Sequence, residues 1–167
     1  ANLLKWGMPQ HFDVCIRGGG VVGHTLALLL ARERLRVAIA IKPIAGVRGE
    51  DVRAYALNNA SRELLERLRA WPEGVNTTPV SKMEIRGDDS ELDFTAHETS
   101  RDTLAWIVDV PALEKQLAQA IRFQPHIEIL EEPVDAALQV VCEGQKSSSR
   151  SEFGATWTIK PYTQKAV

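Results

Sequence analysis

DVCIRGGGVVGHTLALLLARERLRVAIAI, residues 13–41, is the stretch that decides the fold. A short apolar run precedes the spacing G-x-G-x-x-G at Gly18, Gly20 and Gly23, and a long apolar segment and a second short run follow. This order predicts a strand, a tight turn, a helix and a parallel strand. In such a unit the first glycine permits the turn, the second lets a pyrophosphate approach the backbone, and the third lets the helix pack closely. The helix then presents free N–H groups to the phosphates. We therefore predict a dinucleotide-binding βαβ unit, with a glycine-rich turn of an ordinary α/β protein as the alternative.

Composition narrows the class of protein. The chain has 167 residues, 44% of them hydrophobic and 25% charged, and a formal net charge of −2. These proportions are typical of a globular protein, and the lack of a basic stripe argues against nucleic acid as a partner. The longest apolar run, residues 26–31, is too short to cross a bilayer, and no secretory leader is visible, so a cytoplasmic location is expected. Cys15 and Cys142 are expected to be free thiols. The four histidines lack metal-ligand spacing and are expected at the surface or in packing, so no metal site is predicted.

The rest of the chain also alternates between helical and strand patterns. Apolar residues three and four apart predict helices, and alternating ones predict strands. The expected elements are a helix capped by Ser61, an antiparallel hairpin within residues 80–96, a strand over 104–110, a helix over 111–123, strands over 127–130 and 136–142, and a strand-like piece around 157–159.

Three blocks of the sequence, in this order, resemble the flavin-dependent aromatic hydroxylases, and specifically the ubiquinone-biosynthesis (polyprenylphenol) monooxygenases. Residues 13–38 resemble that family's first FAD fingerprint and the strand after it. Residues 51–71 are similar to its D-x-R…AL…S…LL…L…W segment, and residues 140–150 to its second fingerprint, G-A-D-G-x-x-S-x-x-R. The resemblance implies an α/β, three-layer, Rossmann-like FAD-binding fold with a small β excursion at about residues 76–108.

The resemblance also assigns site residues. Arg53 would lie along the flavin and its phosphates, with a surface ion pair as the alternative. Glu143 would reach the pyrophosphate region, with capping of a turn as the alternative. Arg17, directly before the glycine turn, either faces the phosphates or lies at the surface. No residue is predicted to be catalytic, because the cofactor performs the hard chemistry. The predicted cofactor-binding residues are Gly18, Gly20, Val22, Gly23, Arg53, Glu143 and Gly144. Ser147 and Arg150 would complete the second fingerprint, with a solvated loop as the alternative for Arg150 and the serines.

The sequence departs from the family at the residue that binds the ribose. The family normally ends its second strand with a glutamate that holds the adenosine ribose hydroxyls, and counting from Gly23 this position is Ile41. A buried hydrogen bond to a charged group contributes about 1.5–3 kcal/mol, so its loss predicts FAD binding weakened about ten- to a hundredfold. Glu50 or Asp51 would be the nearest replacements.

For the complete enzyme the resemblance implies hydroxylation of an aromatic, ubiquinone-precursor-like ring, with FAD as cofactor and NAD(P)H and O₂ consumed. We expect residues 1–10 to be a flexible tail and residues 11–167 an incomplete FAD-binding domain. The expected C-terminal half, with its G-D-A-x-H segment, is absent, and the stretch between Glu131 and Ala136 is shorter than in the family. The chain alone is therefore expected to be inactive. Its expected partner is a small aromatic or polyprenylated phenol, and association with a membrane surface, a complex or a second copy is left open.

Two other functions remain open. The chain could be an NAD(P)-dependent reductase, in which Lys42 would favour a 2′-phosphate. The Arg53 block and the second fingerprint argue against a plain dehydrogenase. Alternatively, it could be a non-catalytic, flavoprotein-like binding module whose ribose contact is lost.

Overall fold

The computed structural model describes residues 11–42, 51–97 and 102–163. The tail predicted for residues 1–10 lies outside these ranges. In chain order the elements are β1 (Phe12–Arg17), α1 (Val21–Arg32), β2 (Val37–Ala40), β3 (Ala54–Leu57), α2 (Asn59–Arg67), β4 (Thr77–Val80), β5 (Lys82–Arg86), β6 (Glu91–Thr95), β7 (Ala105–Asp109), α3 (Val110–Arg122), β8 (Ile127–Leu130) and β9 (Ala136–Val141).

A parallel sheet lies at the centre, with strand order β8-β2-β1-β9. Val14 of β1 is in register with Val37 of β2 on one side and with Leu138 of β9 on the other. Helices α1 and α3 pack against each other beside this sheet. The carboxyl ends of β1 and β2 therefore meet the start of α1 at one edge, where ligands bind in sheets of this type. The predicted α/β, Rossmann-like class is confirmed.

The main core lies between the sheet and the helices. Ile16 and Ile39 of the strands and Leu113 and Leu117 of α3 are among the largest fully buried side chains. Burial of each such side chain contributes about 1.5–3 kcal/mol. Nearly continuous apolar strands are expected where a parallel sheet is covered on both faces.

The other face of the sheet carries a smaller cluster. Cys15 and Ala38 alternate along their strands with the core residues and pack with Phe12 and Val134. Residues 131–135 join β8 and β9, which lie at opposite edges of the sheet. Gln139 Nε2 donates to the carbonyl oxygen of Val134 at 2.7 Å, which fixes this short connection on the second face.

Antiparallel strands form a separate part of the structure. Strands β3, β7 and β4 make a three-stranded sheet, and β5 and β6 make a hairpin, as the alternating pattern predicted. The hairpin's turn is closed by the amide of Gly87, which donates to the carbonyl oxygen of Ser90 at 2.7 Å.

Two local predictions were wrong. The cap of α2 is Asn58, not Ser61: the side chain of Asn58 accepts a hydrogen bond from the amide of Ser61 at 2.8 Å, so the helix begins earlier. Residues 157–159 form no strand. Trp157 and Ile159 are exposed there, and a strand requires a hydrogen-bonded neighbour that sequence alternation does not supply.

Candidate cofactor-binding site

The glycine turn after β1 is built by close backbone contacts. Gly18 has φ +110°, and a Cβ there would lie 2.6 Å from the carbonyl oxygen of Cys142. A Cβ on Gly23 would lie 2.1 Å from the carbonyl oxygen of Gly18, so only glycine lets α1 approach the turn. A Cβ on Gly20 would meet nothing within 4 Å. Two glycines are thus required by the chain's own packing, and the third faces open space.

The first turn of α1 is open to an anion. Gly20 is the N-cap, and no side chain makes a capping hydrogen bond there. No acidic residue lies in the first turn, and the side chain of Val22 is 69% exposed at its rim. Backbone N–H groups at an uncapped helix start, together with the helix dipole, favour a negatively charged ligand.

A cavity of about 300 Å³ lies beside this turn. It is at the carboxyl ends of β1 and β2, and its lining includes Gly18, Gly19, Ile41, Lys42, Glu143 and Ser148. Residues from the first and the second predicted fingerprints therefore share one cavity, although they are more than a hundred positions apart in sequence.

Ile41 has a hydrocarbon side chain at the position where the resembled family has a carboxylate. A Cβ on Gly19 would lie 2.3 Å from Cδ1 of Ile41, so the isoleucine side chain lies against the turn. Of the two suggested replacements, Glu50 lies outside the described residues and Asp51 is paired with Arg53.

Arg53 is held by carboxylates. Its Nη2 lies 2.6 Å from Oδ2 of Asp51 and 3.4 Å from Oε1 of Glu114. Hydrogen bonding to Asp51 raises the pKa of Arg53 above its usual value. The side chain is about half exposed and is not among the residues that line the 300 Å³ cavity. The structure thus shows the ion pair that was the alternative for this residue.

Glu143 organises the serine loop, residues 147–149. Its Oε2 accepts from Ser147 Oγ at 2.6 Å and from the amide of Ser149 at 3.0 Å, and its Oε1 accepts from Ser149 Oγ at 2.9 Å. Desolvation opposes the charge, but these hydrogen bonds outweigh it and lower the pKa of Glu143. Gly144, next to it, has φ +69° and allows the chain to turn into the loop.

Two arginines hold the same loop in place. Arg17 Nη1 lies 2.6 Å from Oε2 of Glu152 and 3.4 Å from Oγ of Ser149, and its guanidinium lies 4.9 Å from the ring centroid of Phe153. Arg150 donates to the carbonyl oxygen of Gly144 and stacks over the ring of Trp157 at 4.0 Å. Both side chains are therefore engaged within the chain.

Sequence reasoning gave His24 no role beyond surface or packing. It is 7% exposed, and neither ring nitrogen has a hydrogen-bond partner among the residues that the structure describes. Its Nε2 lies 3.4 Å from the position that a Cβ on Gly19 would take. Burial lowers the pKa of His24, and the carboxylate of Glu114 opposes that shift. The available signal was a polar residue within an apolar helix, directly after the third glycine of the motif.

A larger cavity, of about 790 Å³, lies between α2, β4 and β7. Oδ1 of Asn59 accepts from Thr103 Oγ1 and from Trp106 Nε1, each at 3.0 Å, and the guanidinium of Arg62 lies 4.0 Å from the ring centroid of Trp106. Of the residues that the structure describes, none lines both this cavity and the one at the glycine turn.

In the described ranges, no helix is both long and apolar enough to cross a bilayer. Within the same ranges, no three or more His, Cys, Asp or Glu side chains are grouped so as to hold a metal ion.

The fold of this chain matches that of solved monooxygenase structures. PqsL of Pseudomonas aeruginosa, described as a probable FAD-dependent monooxygenase, superposes with a TM-score of 0.70 at 18% identity, over 92% of this chain and 48% of its own. The p-nitrophenol 4-monooxygenase PnpA of Pseudomonas putida gives a TM-score of 0.65 at 18% identity, over 88% of this chain and 44% of its own. At these identities the two likenesses show the fold.

Sequence comparison gives the more particular result. The chain is 28% identical over 134 residues to the mitochondrial ubiquinone biosynthesis monooxygenase COQ6 of Drosophila melanogaster, and 29% identical over 125 residues to the 3-demethoxyubiquinol 3-hydroxylase of Escherichia coli. The matches cover 72% and 71% of this chain but 28% and 32% of those relatives, so the chain spans about a third of their length. No family model matches the chain. The predicted resemblance to FAD-dependent aromatic hydroxylases of ubiquinone biosynthesis is confirmed.

Proposed function

We propose that this chain forms the FAD-binding part of a flavin-dependent monooxygenase that hydroxylates an aromatic ring. The observation that carries the proposal is the open position at Gly20, beside an uncapped helix start and a cavity. An FAD diphosphate fits this arrangement, because amides at a helix start donate to anions and no side chain of the described residues lies within 4 Å of a Cβ placed on Gly20.

Each of the predicted site residues then has its own role in binding FAD. Gly18 and Gly23 shape the turn, Gly20 leaves room for the diphosphate, and Val22 borders it. Glu143 and Gly144 hold the serine loop at the mouth of the cavity. Arg53 would reach phosphate or flavin only by exchanging its carboxylate partners for them.

When bound, FAD would supply the redox chemistry of oxygen activation. What the described residues contribute is binding and orientation, and none of them is assigned a proton transfer with the substrate. We include NAD(P)H and O₂ as co-substrates in the proposal because the redox chemistry of FAD in oxygen activation would consume them.

The ring substrate is proposed from the names of the two relatives, a ubiquinone biosynthesis monooxygenase and a 3-demethoxyubiquinol 3-hydroxylase: a phenol, with or without a polyprenyl chain. We also propose that the chain corresponds to the N-terminal part of such an enzyme, that it is inactive without the remaining part, and that it works in the cytoplasm.

The proposal is tested by a matched pair of glycine substitutions. Gly20→Val fills the space assigned to the diphosphate, whereas Gly74→Val adds the same side chain at a second glycine whose Cβ would also meet nothing within 4 Å. FAD binding is followed by quenching of flavin fluorescence. We expect the Gly20 variant to lose at least tenfold in affinity and the Gly74 variant to match the parent. Equal binding by both variants, or no binding by the parent, would contradict the proposal.

A second candidate, an NAD(P)-dependent reductase, is favoured by one observation. Lys42 lines the cavity beside Ile41, so a cation neighbours the position at which the resembled family has a glutamate, although Glu131 and Glu143 line the same cavity. Tighter binding of 2′-phospho-ADP-ribose than of ADP-ribose, with no FAD binding, would support this candidate over the first.

A further inference from the structure

The imidazole of His24 is the described polar side chain least explained by the fold. Both ring nitrogens are buried and without a hydrogen-bond partner in the described ranges. A buried polar group without a partner destabilises the folded state, so a residue of this kind requires a reason.

The position of His24 suggests that reason. It lies in the first turn of α1, and its backbone amide donates to the carbonyl oxygen of Gly20 at 3.0 Å. The imidazole and Ile41 both lie next to Gly19: Nε2 of His24 and Cδ1 of Ile41 are 3.4 Å and 2.3 Å from the same point, where a Cβ on Gly19 would stand. The ring therefore lies next to the glycine turn, and Gly19 of that turn lines the cavity.

The charges around the ring are few. Among the described groups, Glu114 of α3 is the one that acts electrostatically on the imidazole, and its Oε1 is shared with Arg53 at 3.4 Å. Residues of α1 on the same buried face are apolar, namely Ala27, Leu28 and Ala31. Burial favours the neutral ring, and Glu114 alone does not reverse this.

We propose that His24 is a positioning residue that couples proton uptake to anion binding at the glycine turn. A diphosphate held by the turn places negative charge beside the ring, which favours the imidazolium. By linkage, the imidazolium strengthens diphosphate binding by the same factor. The inference rests on the proposed function, because it takes the anion to be a dinucleotide diphosphate.

The expected signature is a pH dependence of affinity. Burial lowers the pKa of His24 in the folded protein without ligand, and a bound diphosphate would raise it, so binding takes up a proton between the pKa values of the free and the bound states. Affinity should fall as pH rises through that interval, by at most about tenfold per pH unit for one proton.

The experiment is calorimetric titration of the full chain with ADP-ribose from pH 5.5 to 8.5, in PIPES and in Tris where their ranges overlap. The difference between the binding enthalpies in the two buffers gives the number of protons that binding takes up. NMR of the His24 ring, with and without ADP-ribose, locates the proton. Adenosine, which lacks the diphosphate, serves as the control ligand.

We expect proton uptake and a rise in the pKa of His24 with ADP-ribose, and neither with adenosine. His24→Leu should remove the proton uptake and flatten the pH profile while binding at pH 8.5 persists. His97→Gln, a change at an exposed histidine, should leave the profile as in the parent.

The inference would be overturned if the parent bound ADP-ribose with the same affinity at every pH and without proton uptake. The proposed function would then still stand. Failure of the parent to bind ADP-ribose at any pH would overturn both. The parent measurements need no variant, so the inference stays testable even if His24→Leu does not fold.

Discussion

Ile41 lies against Gly19, with its Cδ1 only 2.3 Å from the point that a Cβ on Gly19 would occupy. In the resembled family a carboxylate at this position holds the ribose. This contact therefore replaces a hydrogen-bonding group with a hydrocarbon next to the turn. It is the departure in the site with the most direct consequence for nucleotide affinity.

Restoring the carboxylate should restore affinity. Ile41→Glu is expected to tighten binding of ADP-ribose and FAD about ten- to a hundredfold, which corresponds to about 1.5–3 kcal/mol for a hydrogen bond to a charged group. Calorimetry measures this directly. Ile129→Glu, at an isoleucine that is 52% exposed, is the control for added charge and should change little. If Ile41→Glu leaves affinity at the parent level, the ribose does not lie at this position.

The third glycine of the motif should be needed for stability as well as for binding. A Cβ on Gly23 would lie 2.1 Å from a backbone oxygen, and backbone cannot move aside as a flexible side chain can. Gly23→Ala should lower the free energy of unfolding by about 1–3 kcal/mol, as overpacking does. Urea unfolding measures the change, with Gly20→Ala as the matched control because its Cβ meets open space. Equal stability of the two variants would contradict the close approach of α1 to the turn.

Glu143 should make stability depend on pH. The hydrogen bonds from the serine loop lower its pKa in the folded state, so its contribution is present above the unfolded-state pKa and is lost as pH falls through the lowered value. Glu143→Gln should therefore cost about 1–2 kcal/mol at pH 7 and less in acid. Urea unfolding at pH 7 and at pH 3 measures both. An equal loss at the two pH values would show that the charge has no role, and Glu132→Gln, at an exposed carboxylate, should have little effect at either pH.

Arg53 should matter more for binding than for stability. The arginine is about half exposed, and solvent screens ion pairs at the surface so that they add little to stability. Arg53→Met should therefore leave the unfolding free energy close to that of the parent. If the side chain leaves its carboxylates for the cofactor, the same variant should lose about tenfold in FAD affinity, the equivalent of one charge-assisted hydrogen bond. Unchanged FAD affinity would leave Arg53 as a surface ion pair only.

The sequence predicted the first βαβ unit well because the signals are local. The spacing of Gly18, Gly20 and Gly23 and the apolar runs on either side concern neighbours in the chain. The hairpin was predicted for the same reason. Residues 157–159 show where local signals fail to predict a strand, because an alternating pattern forms a strand only beside a partner strand.

Contacts between distant residues could not be predicted. Nothing in the sequence pairs Arg53 with Glu114 or Arg17 with Glu152, because these contacts depend on how separate elements pack. The burial of His24 likewise results from the packing of α1 against its neighbours. The order of the blocks identified the fold, whereas the state of each side chain required the structure.

The central claim, that the turn after β1 binds the diphosphate of a flavin nucleotide, is tested most directly by amide NMR. The full chain, labelled with ¹⁵N, is titrated with FAD. We predict that the largest shifts fall on the amides of residues 18–23, with smaller ones at residues 143–149. Shifts centred instead on Asn59 and Trp106 at the larger cavity, or no shifts at saturating FAD, would contradict it.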